Sequence, residues 1–186
     1  MKQILFLSSF ILAVFFAQAQ WQRGRLQATG LTCSMCSNAI HKSLERLAFI
    51  DQVEADIAKS MFILSFKAMA AIDPDRLREA VEEAGFAVGS LELDANVTEL
   101  PTIASKQHLI WSGFQFHLRQ AVSELPPVGT WVFRFQDKGF VPTTRYRKLV
   151  KAQTDPCLVS GKRSVICVDH PAKSERIYHI ELIAAQ

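Results

Sequence analysis

The chain has 186 residues, with 21 Lys+Arg against 18 Asp+Glu and a formal net charge of +3. That balance is too even to mark a nucleic-acid binder or a partner for strongly acidic surfaces. Beyond the N-terminus, charged residues recur throughout, so no later segment is apolar enough for long enough to span a bilayer, and the rest reads as globular.

At the N-terminus Lys2 precedes an apolar run from Ile4 to Phe16 and the small-residue site Ala17-Gln18-Ala19. This predicts a signal peptide over 1–19, cleaved after Ala19, and an exported protein of the periplasm or extracellular space that is not an integral membrane protein after cleavage. Leu26 and Ala28 alternate with polar neighbours and predict a short strand entering the loop Gly30-Leu31-Thr32-Cys33-Ser34-Met35-Cys36. Cys36, Ile40, Leu44 and Leu47 then fall at helical spacing, so a helix is expected over residues 34–48 with Cys36 in its first turn. Val53, Ala55 and Ile57, followed beyond a turn by Phe62, Leu64 and Phe66, read as a hairpin. Asp73 as cap, Pro74 at the first helical position and Gly85 just past the end delimit a second helix. A last strand carries Phe86, Val88, Leu91 and Leu93, with Gly89 as an expected bulge. The order βαββαβ predicts a ferredoxin-like α+β domain over 20–95.

Those residues carry a resemblance. Gly30-Leu31-Thr32-Cys33-Ser34-Met35-Cys36, the helix after it and Glu83-Ala84-Gly85-Phe86 resemble a heavy-metal-associated domain, of the copper-chaperone and periplasmic metal-scavenger type. The resemblance covers roughly residues 25–93. It implies a metal site at Cys33 and Cys36, with Thr32 and Phe86 behind the loop, and a metal-transporting ATPase or other exported metal-site protein as partner. Two departures stand out. Leu31 replaces the family's Met, a swap close to volume-conserving, and Ala48-Phe49-Ile50 stands where the family favours Pro-Gly-Val.

The chemistry of the pair agrees with that implication. Thiolates are soft ligands that select Cu(I), or Hg(II) as an alternative cargo, over hard cations. A helix start favours the deprotonated sulfur. A structural zinc site would need four protein ligands, and only one Cys-x-x-Cys pair exists. A local disulfide, a thioredoxin-like redox pair and two buried cysteines remain competing readings of Cys33 and Cys36.

The second half says less about chemistry. A linker is expected over 96–105 and a small, mostly β domain over 106–186, with strands at Phe114–Leu118, Trp131–Phe135, 143–151, 164–168 and 176–183. Cys157 and Cys167 flank an expected turn at 161–163, which would set them opposite each other as a cross-strand disulfide and stabilise by about 2–3 kcal/mol. A second soft-metal site is the alternative there, disfavoured because no His or Met is adjacent in sequence to either cysteine. Arg145, Arg147, Lys148 and Lys151 read as a solvated strand face. His41, His108, His117, His170 and His179 form no ligand-spaced set and read as surface or core histidines.

The expected function is non-enzymatic binding and delivery or buffering of Cu(I). The competing expectations are thiol-disulfide oxidoreductase activity at the same pair and a metal-responsive interaction protein acting through its second half.

Overall fold

The structure of the protein, a computed structural model, describes residues 20–31, 34–105, 107–119, 125–152, 156–162 and 176–184. The expected signal segment 1–19 and the strand expected at 164–168 lie outside the described residues. No helix among the described residues is long and apolar enough to cross a membrane.

The first half runs β1 (Gln20–Thr29), α1 (Ser34–Glu45), β2 (Ile50–Asp56), β3 (Met61–Phe66), α2 (Pro74–Glu83) and β4 (Ala87–Val97). Its strands lie in the order β2-β3-β1-β4, all antiparallel, which is the ferredoxin-like arrangement. Leu26 and Ala28 of β1 share one core with Ile40 and Leu44 of α1 and Leu77 and Val81 of α2. The caps are those the sequence announces: Asp73 accepts from the backbone N–H groups of Asp75 and Arg76, and Gly85 leaves α2 at φ 88°. In the β1/β4 pairing Gln27 faces Ser90 and Ala28 faces Val88, so Gly89 is the extra residue of a bulge. A Cβ at Gly89 would stand 2.9 Å from Thr29 Cγ2, so a side chain there would have to displace the Thr29 methyl. The missing Gly after α1 is compensated locally. Ile50 N–H donates to Leu47 O at 3.0 Å, and Phe49 and Ile50 bury themselves in the core.

The second half contains β5 (Thr102–Ser105), β6 (His108–Trp111), β7 (Phe114–Leu118), β8 (Gly129–Phe135), α3 (Thr143–Ala152), α4 (Pro156–Ser160) and β9 (Ile177–Ala184). It is not a clearly separate small β domain. β4 outruns the first half and pairs its C-terminal end with β8, from Glu92 opposite Arg134 to Val97 opposite Gly129. One mixed nine-stranded sheet results, β2-β3-β1-β4-β8-β9-β7-β6-β5, with β7 and β9 its parallel pair. The strand expected at 143–151 is instead helix α3: Tyr146, Leu149 and Val150 are half-buried at helical spacing while Arg145, Arg147, Lys148 and Lys151 are exposed. The basic face is solvated as expected, but on a helix.

The sheet is strongly curled. β1 and β6 are five strand steps apart, about 24 Å across a flat sheet at ~4.8 Å per step. Yet Trp21 of β1 meets Trp111 of β6 edge-on with ring centroids 4.9 Å apart. The concave side is filled by Trp21, Trp111, Phe116, Phe133 and Tyr178, so both halves share one core.

On the face away from α1 and α2, one charged row crosses the junction in register: Arg25 of β1, Glu92 of β4, Arg134 of β8 and Glu181 of β9. Arg25 and Arg134 donate to Glu92 at 3.0 and 2.8 Å, Arg25 also grips Asp94 at 2.7 Å, and Arg134 lies 3.6 Å from Glu181. Burial alone would raise the Glu92 carboxyl, but hydrogen bonds from Arg134 and Arg25 outweigh it and hold Glu92 below its ordinary value. Because these groups are partly solvated, Glu92→Gln is expected to lower stability by only about 1 kcal/mol. The difference from wild type should shrink at ~1 M salt. Urea midpoints at two salt concentrations check this; a salt-independent loss would mean that packing, not charge, is what Glu92 supplies.

Candidate metal centre

The loop after β1 is built from its ends inward. Gly30 takes φ 81°, turning the chain off the sheet, and Leu31 packs its half-buried side chain against the core. The chain then enters α1 at Ser34, which puts Cys36 in the first turn, where backbone N–H groups have no intrahelical acceptor. Cys36 is half-buried and Ser37 is buried, while Met35 between the two cysteine positions is 81% exposed. Cys36 therefore stands near the surface, at the start of a helix. Phe86 follows Gly85 and donates its N–H to Val81 O at 3.1 Å; its half-buried ring packs against the same core. Thr32 and Cys33 lie outside the described residues, so of the expected site the structure positions Cys36 and Phe86. His41, also on α1, is engaged elsewhere, with Nε2 donating to Val53 O at 2.9 Å and Nδ1 3.3 Å from Glu45.

The N-terminal region is a heavy-metal-associated domain: residues 25–87 match that family. Among curated proteins the chain is similar to "Probable copper-transporting ATPase HMA5" of Arabidopsis thaliana, 30% identical over 89 residues, which is 48% of this chain and 9% of that relative. The chain thus spans under a tenth of the relative's length. Among solved structures it is similar to apo-CopP from Helicobacter pylori, at 24% identity over 36% of this chain and 98% of that one, with a TM-score of 0.32. The N-terminal domain of PacS from Synechocystis PCC6803 is similar at 24% identity over 36% and 92% of the two chains, again with a TM-score of 0.32.

The disulfide expected between Cys157 and Cys167 is corrected. Cys157 stands in helix α4, not on a strand of a hairpin, so the cross-strand opposition that suggested the pairing is absent. Among the described residues no two cysteines lie at bonding distance. Cys167 lies outside the described residues, and neither Cys36 nor Cys157 is a free thiol.

The histidines are a second difference. His108 and His117 are register partners across the β6/β7 hairpin, and His117 is the register partner of His179 across β7/β9. The rings lie tilted against each other at centroid distances of 4.4 and 4.9 Å. α4 delivers Cys157 to the same place, and the ligating atoms of His108, His117 and Cys157 all lie within 4.8 Å of one another, all three residues buried. Linear spacing cannot reveal such a set. One local signal was legible: Ser112-Gly113, with φ 51° and 80°, is a two-residue hairpin turn, and His108 and His117 are equidistant from it.

Proposed function

We propose that the protein binds Cu(I) through the thiolates of Cys33 and Cys36 and buffers it or hands it to a metal-site partner. What carries the reading is the placement of Cys36: half-buried in the first turn of α1, at the exposed end of a heavy-metal-associated domain. Two soft sulfurs on a surface loop select a soft ion, and a helix start favours their charged form. A two-coordinate ion stays open to an incoming thiolate, so it passes on through a shared-ligand intermediate, and no catalytic turnover is needed. The similarity to a copper-transporting ATPase supports a pump of that kind as the partner. The leader-like segment 1–19 supports an exported location, periplasmic or extracellular, in which Cys33 and Cys36 have to be kept reduced for the ion to bind.

The test is a titration of reduced protein with Cu(I) against a chromogenic chelator, without oxygen. Wild-type chain is expected to hold one equivalent more than the Cys33→Ser/Cys36→Ser chain. Equal uptake by the two would remove the proposal.

A further inference from the structure

The even overall charge conceals an uneven distribution: residues 20–96 carry 8 Lys+Arg against 11 Asp+Glu, and residues 97–186 carry 12 against 7. The basic excess is concentrated on α3. Arg145, Arg147, Lys148 and Lys151 all stand on this one helix, which holds no acidic residue, and all four are exposed. We propose that α3 docks the protein on a surface of anionic phospholipid.

The helix is amphipathic. At about 3.6 residues per turn, Arg147, Lys148 and Lys151 share one side, Arg145 flanks it, and Tyr146, Leu149 and Val150 line the other. The apolar side is half-buried, and the Tyr146 hydroxyl donates to Leu158 O of α4 at 2.9 Å. The helix is thus attached by its apolar side and turns its cations to solvent.

The charges on α3 are spaced to repel, unlike those on α2. There, opposite charges three and four residues apart meet, Arg76 with Glu79 at 2.8 Å and Arg78 with Glu82 at 2.6 Å. On α3 the same spacings set like charges together: Arg145 with Lys148, Lys148 with Lys151, and Arg147 with Lys151. Such pairs destabilise a helix. Among the described residues no carboxylate pairs with any of the four. A helix that only covers the fold gains from interspersed acids, as α2 does, whereas an anionic surface relieves the repulsion that α3 retains.

The surroundings favour lipid over other polyanions. The apolar side chains bordering the cations are only half-covered, and Val159 of the adjoining α4 is 63% exposed. A basic stripe bordered by apolar surface suits the boundary between headgroups and acyl chains. Nucleic acid would need an exposed aromatic platform, and Tyr146, the helix's single aromatic residue, is turned toward α4. This choice of occupant rests on the proposed delivery of copper to a membrane pump, which brings the chain to a bilayer.

The test is sedimentation of the full chain with vesicles of phosphatidylcholine, alone or with about 30% phosphatidylglycerol. The uncharged vesicles set the baseline, including any attachment through the apolar run Ile4–Phe16. Each cation near an anionic surface strengthens binding about 5-fold. Wild type should therefore bind the anionic vesicles above baseline and lose that excess at ~1 M salt. Arg147→Ala/Lys148→Ala/Lys151→Ala, which keeps good helix formers, should weaken it about 100-fold. Arg23→Ala/Lys42→Ala/Arg46→Ala removes the same charge from exposed positions of the first half and should leave it within about 3-fold. Far-UV circular dichroism reports folding; if the α3 triple variant does not fold, Lys148→Ala and Lys151→Ala decide, each with a loss of about 5-fold. No excess binding, equal loss in both triple variants, or tighter binding of a duplex oligonucleotide or a polyglutamate peptide than of the vesicles would each overturn the proposal. Cys33→Ser/Cys36→Ser protein should bind the vesicles as wild type does, and the α3 variant should take up copper as wild type does, so failure of the copper reading and failure of this one are told apart.

Discussion

Phe133→Ala is expected to cost about 4 kcal/mol and to unfold both halves of the molecule in one transition. Phe133 is fully buried at the centre of β8, where its backbone pairs with Leu93 of β4 and Leu182 of β9. Its ring lies 5.1 Å from Trp21, 5.2 Å from Trp111 and 5.2 Å from Phe116. Truncation would empty the place where the curled sheet meets itself, so transfer and cavity terms add. A domain with 5–15 kcal/mol of stability loses a third or more of it. Urea unfolding followed by tryptophan fluorescence and by far-UV circular dichroism should give coincident curves shifted together. Two separated transitions, or a loss below about 1 kcal/mol, would show that the halves do not share this core.

The second large effect is expected at Asp75, which joins the start of α2 to the start of β9. Its carboxylate accepts from Arg176 Nε at 2.9 Å, Arg176 Nη2 at 3.3 Å and the Tyr178 hydroxyl at 3.0 Å. Arg176 also stacks over the Tyr178 ring at 4.4 Å and donates to Gly161 O and Ile177 O. Burial would raise the Asp75 carboxyl, but the hydrogen bond and charge of Arg176, then Tyr178, outweigh it and hold the group below its ordinary 3.8. Burial pushes the Tyr178 phenol well up, so it remains a neutral donor.

Asp75→Asn is therefore expected to cost about 2 kcal/mol at neutral pH, less than a fully buried pair because both partners keep some solvent contact. The sign of the pH dependence follows from the lowered value. The stabilisation is complete above the unfolded-state pKa and disappears as pH falls through the lower, folded-state one. Wild type and Asp75→Asn should thus differ most above about pH 5 and converge toward the acid limit. Urea midpoints at neutral and acid pH test it, and a gap that widens on acidification would contradict the assignment.

How much of this was legible beforehand depended on the range of the interactions. Asp73, Pro74 and Gly85 delimit α2 by local capping, Gly89 marks the bulge, and the alternation of Leu26 and Ala28 places β1; each is a short-range effect written within a few residues. The first half, including the site of Cys36, was accordingly readable. Tyr146, Leu149 and Val150 misled as strand residues because a half-exposed helix has too few apolar positions to display its period. Cys157 misled because its apparent hairpin partner was inferred from spacing alone, whereas the chain around it turns as α4.

By itself the sequence determined the ferredoxin-like first half and the positions of β7, β8 and β9, because hydrophobic periodicity and capping are local codes. Only the tertiary structure decided that β4 continues into pairing with β8, that one sheet curls until Trp21 meets Trp111, and that His108, His117 and Cys157 converge. Those outcomes depend on strand register and on the curl that buries the aromatic side chains together, and such contacts join residues tens of positions apart that carry no mark of one another along the chain.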